Sequence, residues 1–340
     1  MFFTGVNMKN NIIKSPIIQY LTKTTYKLGV GVIIIDQEKG IFALSKGNKK
    51  VFLHDYTFDI NNNLTSQIVN DKVLTKKILG QYNIPTPEGV VEDNFKNVIN
   101  FLNKKIINFP LVVKPVDGKQ GGAVTAAIYK RKYLLRAIQE VQKYNKKKKS
   151  KANSFIVEKY IPGQDFRFLV LDHKVLTVIR REPAYVIGDG KKTISQLIRK
   201  YNSNSRVGKQ KPLCPIVCDF ELERNLELKK LTKKSIISKN KKIYLRKNAN
   251  VSTGGRSFEC ANKVCQRYKN LASRISKIFN LRFCAVDIII PNPQKFEKFA
   301  VIEVNHTPGF DIHEAPYRGR PFPVGKCLVE SIFKQVRSIK

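Results

Sequence analysis

Two apolar stretches near the carboxyl end of the chain each contain acidic residues where a buried strand should have none. Residues 283–290 contain Asp287, and residues 299–305 contain Glu303 followed by Asn305. Alternate residues of a strand share one face, so Glu303 and Asn305 should project together, and a hairpin would bring Asp287 beside them. A fold for this chain must therefore bury two strands and still provide partners for their carboxylates.

These polar side chains have two interpretations. Two carboxylates and an amide oxygen form a hard, all-oxygen set of the kind that binds Mg²⁺ and leaves positions for phosphate oxygens. Alternatively, the acids are paired with arginine or lysine side chains in buried salt bridges. The spacing alone does not distinguish a metal site from salt bridges.

The chain of 340 residues is strongly basic, with 63 Lys and Arg against 26 Asp and Glu and a formal net charge of +37. This excess predicts contact with a polyanion such as nucleic acid, an acidic membrane surface, phosphate groups or an acidic peptide. The opposing interpretation is compositional, because the lysines are spread along the whole chain instead of being concentrated in one motif. Because acidic residues are so scarce in this chain, those inside apolar strands are more readily explained by a function than by chance.

The six cysteines have spacings that match no zinc-binding pattern, so we expect reduced, structural thiols. No apolar run reaches the length that spans a membrane, and the apolar start of the chain is too short for a signal peptide. We therefore expect a cytoplasmic protein without a membrane partner. Its length and 42% hydrophobic content suffice for two or three subdomains.

Lysines and glycines in the first half of the chain form the pattern of a phosphate site. Residues 64–82 have helical periodicity and include Lys72. Residues 108–115 predict a strand that contains Lys114 near its end, and the glycine-rich turn 118–122 follows. Backbone N–H groups of such a turn bind phosphate oxygens. A Walker A motif is absent, and a plain β-turn is the alternative.

The middle of the chain adds strands and loops with charged ends. Residues 155–171 predict two strands around a Pro-Gly turn, and Arg180-Arg181 ends the next strand at a predicted exposed edge. A second loop of small residues, 248–256, follows a short strand. The polar, basic segment 202–242 predicts a variable lid or an insertion.

The order of these parts resembles the ATP-grasp superfamily, and within it the ATP-grasp domains of cyanophycin synthetase and of bifunctional glutathione synthetase. The resemblance covers residues 70–333 and depends on motifs that occur in the same order. These motifs are Asn70-Asp71-Lys72, Val113-Lys114-Pro115, residues 157–163, residues 181–190, Leu245-Arg246, residues 250–255, Glu303-Val304-Asn305 and residues 313–319. The carboxyl-terminal ligase domain of the first relative and the cysteine-ligating domain of the second have no counterpart in these residues.

The resemblance implies the α+β class and an ATP-grasp fold, in which ATP lies between two α+β subdomains. By this resemblance, residues 1–69 form a short N-terminal pre-ATP-grasp region, and residues 70–340 form the ATP-grasp domain. Within that domain, residues 108–187 would form a small lid subdomain. Residues 188–340 would form a carboxyl-terminal subdomain that contains the metal site.

The resemblance also implies roles for individual residues. Lys72 and Lys114 would contact ATP phosphates, and Arg246 would stabilise the γ-phosphate and then the acyl-phosphate. The other implied nucleotide contacts are Gly118, Gly121 and Gly122 of the mobile hairpin, Glu158 with the backbone of Lys159, Tyr160 and Ile161 at the adenine, and Asp165 at the ribose. The implied metal ligands are Asp287, Glu303 and Asn305, and the implied contacts to an acidic substrate are Arg167, Arg180, Arg181, Ser252, Thr253, Gly254 and Gly255.

The activity implied by the resemblance is an ATP- and Mg²⁺-dependent carboxylate–amine ligase that forms an amide or peptide bond through an acyl-phosphate. Two Mg²⁺ ions are usual in the superfamily, and Mn²⁺ is an alternative ion. The expected partners are a small or peptide carboxylate and an amine; an acidic polymer or protein tail would give the positive charge a role, and a homo-oligomer is compatible with the sequence. The competing hypothesis is a non-catalytic protein of the same fold that binds nucleic acid or another polyanion through its basic surface.

Overall fold

The computed structural model describes residues 16–118, 121–149, 153–208 and 213–334. The α-helices in these ranges are α1 (Pro16–Thr25), α2 (Asn63–Asn70), α3 (Lys72–Gln81), α4 (Phe95–Asn103), α5 (Arg131–Lys148), α6 (Ile194–Asn202), α7 (Phe220–Glu227), α8 (Gln266–Ile278), α9 (Asp311–Glu314) and α10 (Val324–Lys334). The strands are β1 (Gly31–Asp36), β2 (Ile41–Lys46), β3 (Lys49–His54), β4 (Thr57–Phe58), β5 (Gly89–Glu92), β6 (Leu111–Pro115), β7 (Thr125–Ile128), β8 (Phe155–Lys159), β9 (Gln164–Leu171), β10 (Lys174–Glu182), β11 (Tyr185–Ile187), β12 (Lys242–Tyr244), β13 (Arg256–Glu259), β14 (Phe283–Ile290) and β15 (Ala300–Asn305).

The strands of the described ranges pair into antiparallel sheets. The central sheet has the order β13-β10-β9-β14-β15, and the small sheet has the order β5-β8-β6-β7. The N-terminal sheet has the order β1-β2-β3-β4, and β11 pairs with β12 in a two-stranded ribbon. Antiparallel sheets with helices packed on their faces confirm the predicted α+β class.

The two acid-bearing stretches are neighbouring strands, as the sequence predicts. Asp287 on β14 is directly opposite Glu303 on β15, and Ala285 is opposite Asn305. On the other side of β14, Arg167 of β9 is opposite Asp287. Because residues directly opposite in a sheet project to the same face, the register brings these acidic and basic side chains together.

The two faces of the central sheet are covered by different parts of the chain. One face contributes Phe166, Phe168 and Val286 to a core that also contains α8. The opposite face contributes Leu169 and Phe283 to a second core, formed with the N-terminal sheet and α10. Alternation along each strand places the charged side chains on this second face, beyond the apolar residues. The acidic and basic side chains of β9, β14 and β15 therefore lie next to the second core.

The sheets group the chain differently from the boundaries inferred from the sequence. Strands β9 and β10 fall within the range 108–187 assigned to a lid, but they pair with β14 and β13 in the central sheet. Strand β5 precedes residue 108 and pairs with β8 of the small sheet. Helix α4 contributes Val98 to the core of the same sheet. The assignment of strands to sheets depends on pairing between strands that are distant in sequence, and the local sequence pattern does not predict this pairing.

Two helices differ from their predicted extents. The periodic segment 64–82 forms two helices, because Asp71 is extended and its side chain caps the N–H groups at the start of α3. Four consecutive lysines at 146–149, with Lys151 just beyond, are typical of a solvated loop, but these lysines continue α5 as far as Lys148. Basic side chains in a last turn favour helix because they face the negative end of its dipole. Lys151 of the same run lies outside the described residues.

Three smaller features relate directly to the sequence. Thr193, a good N-cap residue followed by Gln196 three positions later, caps α6 in a capping box. All six cysteines are free thiols. Within the described ranges, none of the helices has the length and apolar character needed to cross a membrane.

Candidate functional site

Asp287 lies at the centre of an acid–arginine cluster on the central sheet. Arg167 donates two hydrogen bonds to its carboxylate, from Nε to Oδ1 at 2.8 Å and from Nη2 to Oδ2 at 2.7 Å. Arg181 donates another from Nη2 to Oδ2 at 2.8 Å. Burial favours the neutral carboxyl, but the two guanidinium groups outweigh it and lower the pKa of Asp287 to about 2. The buried salt bridges that the sequence allowed are therefore present.

Arg181 is buried, which makes its predicted position at an exposed edge wrong. Its side chain is only 7% exposed, because Asp165 and Asp287 both bind it and offset the cost of burying a charge. Burial raises the pKa of Asp165 against the opposing effect of Arg181. Arg180 projects to the other face, where its Nη1 donates to Glu182 at 3.2 Å.

Asp287, Glu303 and Asn305 offer only oxygen donors, and they share one face of neighbouring strands. The N–H of Thr307 donates to Oδ1 of Asn305 at 2.9 Å, which orients the amide. Over the described residues, no group of three or more His, Cys, Asp and Glu side chains could hold a metal ion. A metal here would therefore need the amide oxygen of Asn305 as well as the two carboxylates. The donor chemistry fits Mg²⁺, although two arginines compete for Asp287.

Lys72 lies between the central sheet and the glycine-rich hairpin of the small sheet. Its Nζ donates to the carbonyl oxygen of Gly118 at 3.1 Å. Burial lowers the pKa of Lys72, the charge of Glu303 opposes this, and the charge of Lys114 adds to it. A partly buried cation in this environment gains stability from an additional anion, and phosphate is one.

Glu158 is buried between two lysines. Lys114 Nζ donates to Oε1 at 2.6 Å, and Lys76 Nζ donates to Oε2. Burial alone would raise the pKa of Glu158, but the two ammonium groups outweigh it and lower the pKa. The side chain of Glu158 therefore orients lysines of the predicted phosphate site, and a contact of this carboxylate with adenine stays a prediction.

Lys76 belongs to this lysine group, although no sequence motif contains it. It follows Lys72 by four residues on α3, so both side chains project from one face of the helix. That spacing is the sequence signal that could identify it. Its Nζ also donates to the carbonyl oxygen of Pro87 at 2.9 Å, and burial lowers its pKa.

The predicted adenine hinge connects the small sheet to the central sheet. The N–H of Lys159, at the end of β8, donates to the carbonyl oxygen of Glu88 at 2.8 Å. The N–H of Tyr160 donates to the carbonyl oxygen of Pro110, also at 2.8 Å. Ile161 follows these two residues, shortly before β9 begins. The segment therefore crosses from one sheet to the other at the position expected of a hinge.

Two glycines of the hairpin are required by packing. Gly121 has φ +66°, and a Cβ at this position would lie 2.5 Å from Nδ2 of Asn250. A Cβ at Gly122 would lie 2.5 Å from a ring carbon of Tyr144. Residues 119–120 of the hairpin lie outside the described residues. These contacts explain the glycines without a ligand, so their role at phosphate stays a prediction.

Arg246 follows β12, and its side chain is only 1% exposed. Its Nη2 donates to both carboxylate oxygens of Asp219, and its Nη1 donates to the carbonyl oxygen of Thr253 at 3.3 Å. Asp219 is the N-cap of α7, inside the segment 202–242 predicted as a lid or insertion. An aspartate just before a helix is a recognisable cap, but its pairing with Arg246 has no sequence signal.

The small-residue loop after β12 is held by its own hydrogen bonds and by the 202–242 segment. The side-chain oxygen of Asn250 accepts from the N–H of Ser252 at 3.0 Å, and its carbonyl oxygen accepts from the N–H of Gly255 at 3.1 Å. Gly254 has φ +93°, and a Cβ there would lie 2.7 Å from Cα of Ile216. A substrate contact for this loop stays a prediction.

Two histidines near the acids have different environments. His313 is fully buried, and its ring nitrogens have no hydrogen-bond partner among the described residues. Burial, reinforced by Arg167, lowers the pKa of His313 to about 3, which makes it a poor base. His306 instead bonds Oδ1 of Asn70 through Nε2 at 3.2 Å.

The residues predicted for the site fall into separate groups in the structure. The acid–arginine cluster on the central sheet contains Asp165, Arg167, Arg181, Asp287 and Glu303, with Asn305 beside it. The lysine group on α3 and the small sheet contains Lys72, Lys114 and Glu158, together with Lys76. Arg246 and the loop containing Ser252, Thr253, Gly254 and Gly255 form a third group with Asp219.

Comparison with known proteins identifies relatives of the chain. The chain is 31% identical over 322 residues to the glutathione biosynthesis bifunctional protein GshAB of Listeria welshimeri, covering 93% of this chain and 40% of that protein. It is 34% identical over 277 residues to the cyanophycin synthetase of Trichormus variabilis, covering 80% of this chain and 30% of that protein. The crystal structure of a bifunctional glutathione synthetase from Pasteurella multocida superimposes with a TM-score of 0.66 at 25% identity, covering 94% of this chain and 44% of that one.

The chain spans less than half of the length of each of these relatives. The similarities nevertheless confirm the resemblance inferred from the motifs, and residues 69–185 match the family of RimK-like ATP-grasp domains. The chain therefore contains a RimK-like ATP-grasp domain and has the ATP-grasp fold.

Proposed function

We propose that the chain is an ATP- and Mg²⁺-dependent ligase that joins a carboxylate to an amine, with an amino acid or peptide among its substrates. One arrangement carries the proposal: Asp287 and Glu303 lie opposite each other on two neighbouring strands, and Glu303 and Lys72 line one cavity. A phosphate chain needs metal-binding carboxylates and ammonium groups on opposite sides. The similarity to glutathione and cyanophycin synthetases supports the same reaction class.

The nucleotide would lie between the small sheet and the central sheet. Lys72 and Lys114 would bind its phosphates, and Glu158 would hold Lys114 in place. The backbone of residues 159–161 would contact the adenine, and Asp165 would bind the ribose. The small sheet with its hairpin would act as the lid, which replaces the lid boundaries inferred from the sequence.

Asp287, Glu303 and Asn305 would hold Mg²⁺, as two ions, with Mn²⁺ as a functional substitute. The bound metal would offset and align the negative charges of the transferring phosphate groups. Arg167 and Arg181 would then release part of their contact with Asp287 and contact the acidic substrate. In this proposal the buried salt bridges and the metal site belong to two states of the same cluster.

The reaction needs charge and alignment more than a side-chain nucleophile. The substrate carboxylate attacks the γ-phosphorus of ATP, and ADP leaves with the electrons of the broken bond. The amine then attacks the carbonyl carbon of the acyl-phosphate, so that the amide forms, phosphate leaves and the amine loses a proton. Arg246 would stabilise the charge on the transferring group, and the closed lid would exclude water.

Finer features of the proposal concern the partners. An acidic polymer or protein tail as the carboxylate substrate would use the net charge of +37. The cytoplasm is the expected compartment, and a homo-oligomer is compatible with the proposal. A non-catalytic protein that binds nucleic acid is the competing function.

Amine-dependent release of ADP tests the proposal. Amino acids and short peptides are screened in pairs with ATP and Mg²⁺, first with the wild-type chain. Glu303→Gln should then lower kcat by about 100-fold or more, because a carboxylate ligand becomes a neutral amide. Glu297→Gln is the matched control, since Glu297 lies before β15 with a partly exposed side chain and should leave kcat unchanged.

Two outcomes would contradict the proposal. Unchanged turnover in Glu303→Gln would remove the metal assignment. Absence of ADP release with every pair, together with salt-sensitive binding of nucleic acid, would favour the non-catalytic nucleic-acid-binding protein.

Protection by ATP against thermal unfolding gives a readout that does not need turnover. This protection should disappear in Lys114→Ala, and its persistence there would contradict the proposed contact of Lys114 with phosphate.

A further inference from the structure

Helix α7 connects the edge of the small sheet with Arg246. Arg224, at 1% exposure, donates from Nη1 to the carbonyl oxygen of Ala127 at 3.1 Å and from Nη2 to that of Ala126. Glu221 compensates its charge, accepting from Nη2 at 2.8 Å. Both carbonyl groups lie on β7, the edge strand of the small sheet. The Arg224–Glu221 ion pair therefore fixes α7 against β7, because moving the helix away from the strand would leave the buried Arg224 without its carbonyl partners.

Asp219, the N-cap of the same helix, binds Arg246. Oδ1 of Asp219 accepts from the N–H of Leu222 at 3.1 Å, which is the usual bond of a helix N-cap. Both oxygens of Asp219 also accept from Nη2 of Arg246, and Nη1 is bound by the carbonyl oxygen of Thr253. Within the described part of the chain, Nε of Arg246 has no acceptor. Two of the three guanidinium nitrogens are thus fixed, and one buried donor remains.

We propose that Asp219 is a positioning residue for Arg246: it holds the guanidinium in one orientation, which leaves Nε to donate to an oxygen of the transferring phosphoryl group. This role rests on the proposed function of Arg246. A preorganised donor contributes most where charge develops in the transition state, because it needs no reorientation during the reaction. The segment 202–242, which has no recognisable motif, would then supply the support for the arginine.

Asp219→Asn separates this role from helix capping. Asparagine caps a helix about as well as aspartate, so the variant should keep α7 and lose only the charge that holds Arg246. Glu223→Gln is the matched control, because Glu223 lies in the first turn of the same helix and makes an exposed ion pair with Lys233 at 2.8 Å. Its kcat should equal that of the wild type.

We expect Asp219→Asn to lower kcat by about tenfold or more, as for loss of one charge-assisted hydrogen bond. The KM for ATP should change less than kcat. In equilibrium binding with Mg²⁺, the variant should bind a non-hydrolysable ATP analogue more weakly and bind ADP as the wild type does, because Arg246 would contact only the terminal phosphate. If the variant fails to fold, Asp219→Glu keeps the charge and should give an intermediate kcat.

A double-mutant cycle provides the sharper test. In the background of Arg246→Lys, Asp219→Asn should have little further effect on kcat, because two residues that act as a unit are not additive. Three results would each overturn the positioning role of Asp219: fully additive effects of the two substitutions on kcat, a wild-type kcat in Asp219→Asn, or tighter binding of the ATP analogue by Asp219→Asn. Tighter binding would mean that Asp219 competes with the phosphate. If the wild-type chain releases no ADP with any pair, the proposed function fails, and the analogue measurement still decides whether Asp219 supports Arg246.

Discussion

Replacing Asp287 by asparagine should destabilise the protein, because it leaves two buried arginines without their shared carboxylate. Asp287 is 1% exposed, while the side chains of Arg167 and Arg181 are 12% and 7% exposed. Arg181 keeps Asp165 as a partner, whereas Arg167 loses both of its charged hydrogen bonds to Asp287. The main cost should therefore fall on Arg167.

The magnitude follows from two considerations. The pKa of Asp287 is about 2 in the folded protein against the 3.8 of an unperturbed aspartate, and this difference corresponds to about 2 kcal/mol at neutral pH. Because the folded pKa is the lower one, this contribution is present above pH 3.8 and is lost as the pH falls through about 2. Removing one partner of a buried pair costs about 3 to 5 kcal/mol. Asparagine keeps one oxygen acceptor, so we expect a loss of about 3 kcal/mol.

Urea denaturation at neutral pH measures the free energy of unfolding for Asp287→Asn and for a control, Asp172→Asn. Asp172 also pairs with an arginine, Arg282, at 2.8 Å, but its side chain is 41% exposed, so the control should lose less than about 1 kcal/mol. Adding Arg167→Met to Asp287→Asn should recover part of the loss, since no unpaired cation remains. Equal stability of the two single variants, or an additive double variant, would refute the reasoning.

Other predictions follow from the lysine group, the hairpin and the charge of the cluster. Glu158 has a lowered pKa, so its contribution to stability is lost as the pH falls below 4.5, and Glu158→Gln should reduce the slope of stability against pH in acid. Gly121→Ala should lower both the stability of the protein and the rate of ADP release, because φ is +66° and the new Cβ would lie 2.5 Å from Nδ2 of Asn250. Gly47→Ala is the control: its φ is +56°, and no atom beyond its chain neighbours lies within 4 Å of the new Cβ. It should cost only the backbone strain of about 1 kcal/mol and leave turnover unchanged. In calorimetry, Mg²⁺ alone should bind far more weakly than Mg²⁺ with ATP, and equal affinity would contradict the charge balance of the cluster.

Features with a local signal are predictable from the sequence. The two apolar stretches that Asp287 and Glu303 interrupt predict two paired strands, and the observed register places these two side chains directly opposite each other. The cap at Thr193 is predictable because capping depends on neighbouring residues alone. In each of these cases, the physical cause lies within a few residues of the position it determines.

Features that depend on distant partners are not predictable in this way. The burial of Arg181 requires carboxylates from two other strands, so the sequence around it indicates an exposed strand end. The pairing of Arg246 with Asp219 joins the end of a strand to a helix cap in a segment without motifs. The interruption of the helix at Asp71 is an intermediate case. Aspartate is a local signal for a helix start, but the apolar residues on both sides of Asp71 have the periodicity of one continuous helix.

The charge balance of the acid–arginine cluster restricts how a metal ion can enter it. Among the described residues, the acids Asp165, Asp287 and Glu303 of the cluster are matched by its arginines, Arg167 and Arg181, and by Lys72 of the neighbouring lysine group. A divalent cation added to this balanced, buried group would be repelled by the arginines and would have to displace them from Asp287. The same ion entering with a nucleotide brings compensating negative charge, and its phosphates offer the displaced arginines and Lys72 new partners. Metal and nucleotide should therefore bind together, and the salt bridges that fill the cluster in the free protein would exclude metal without ATP.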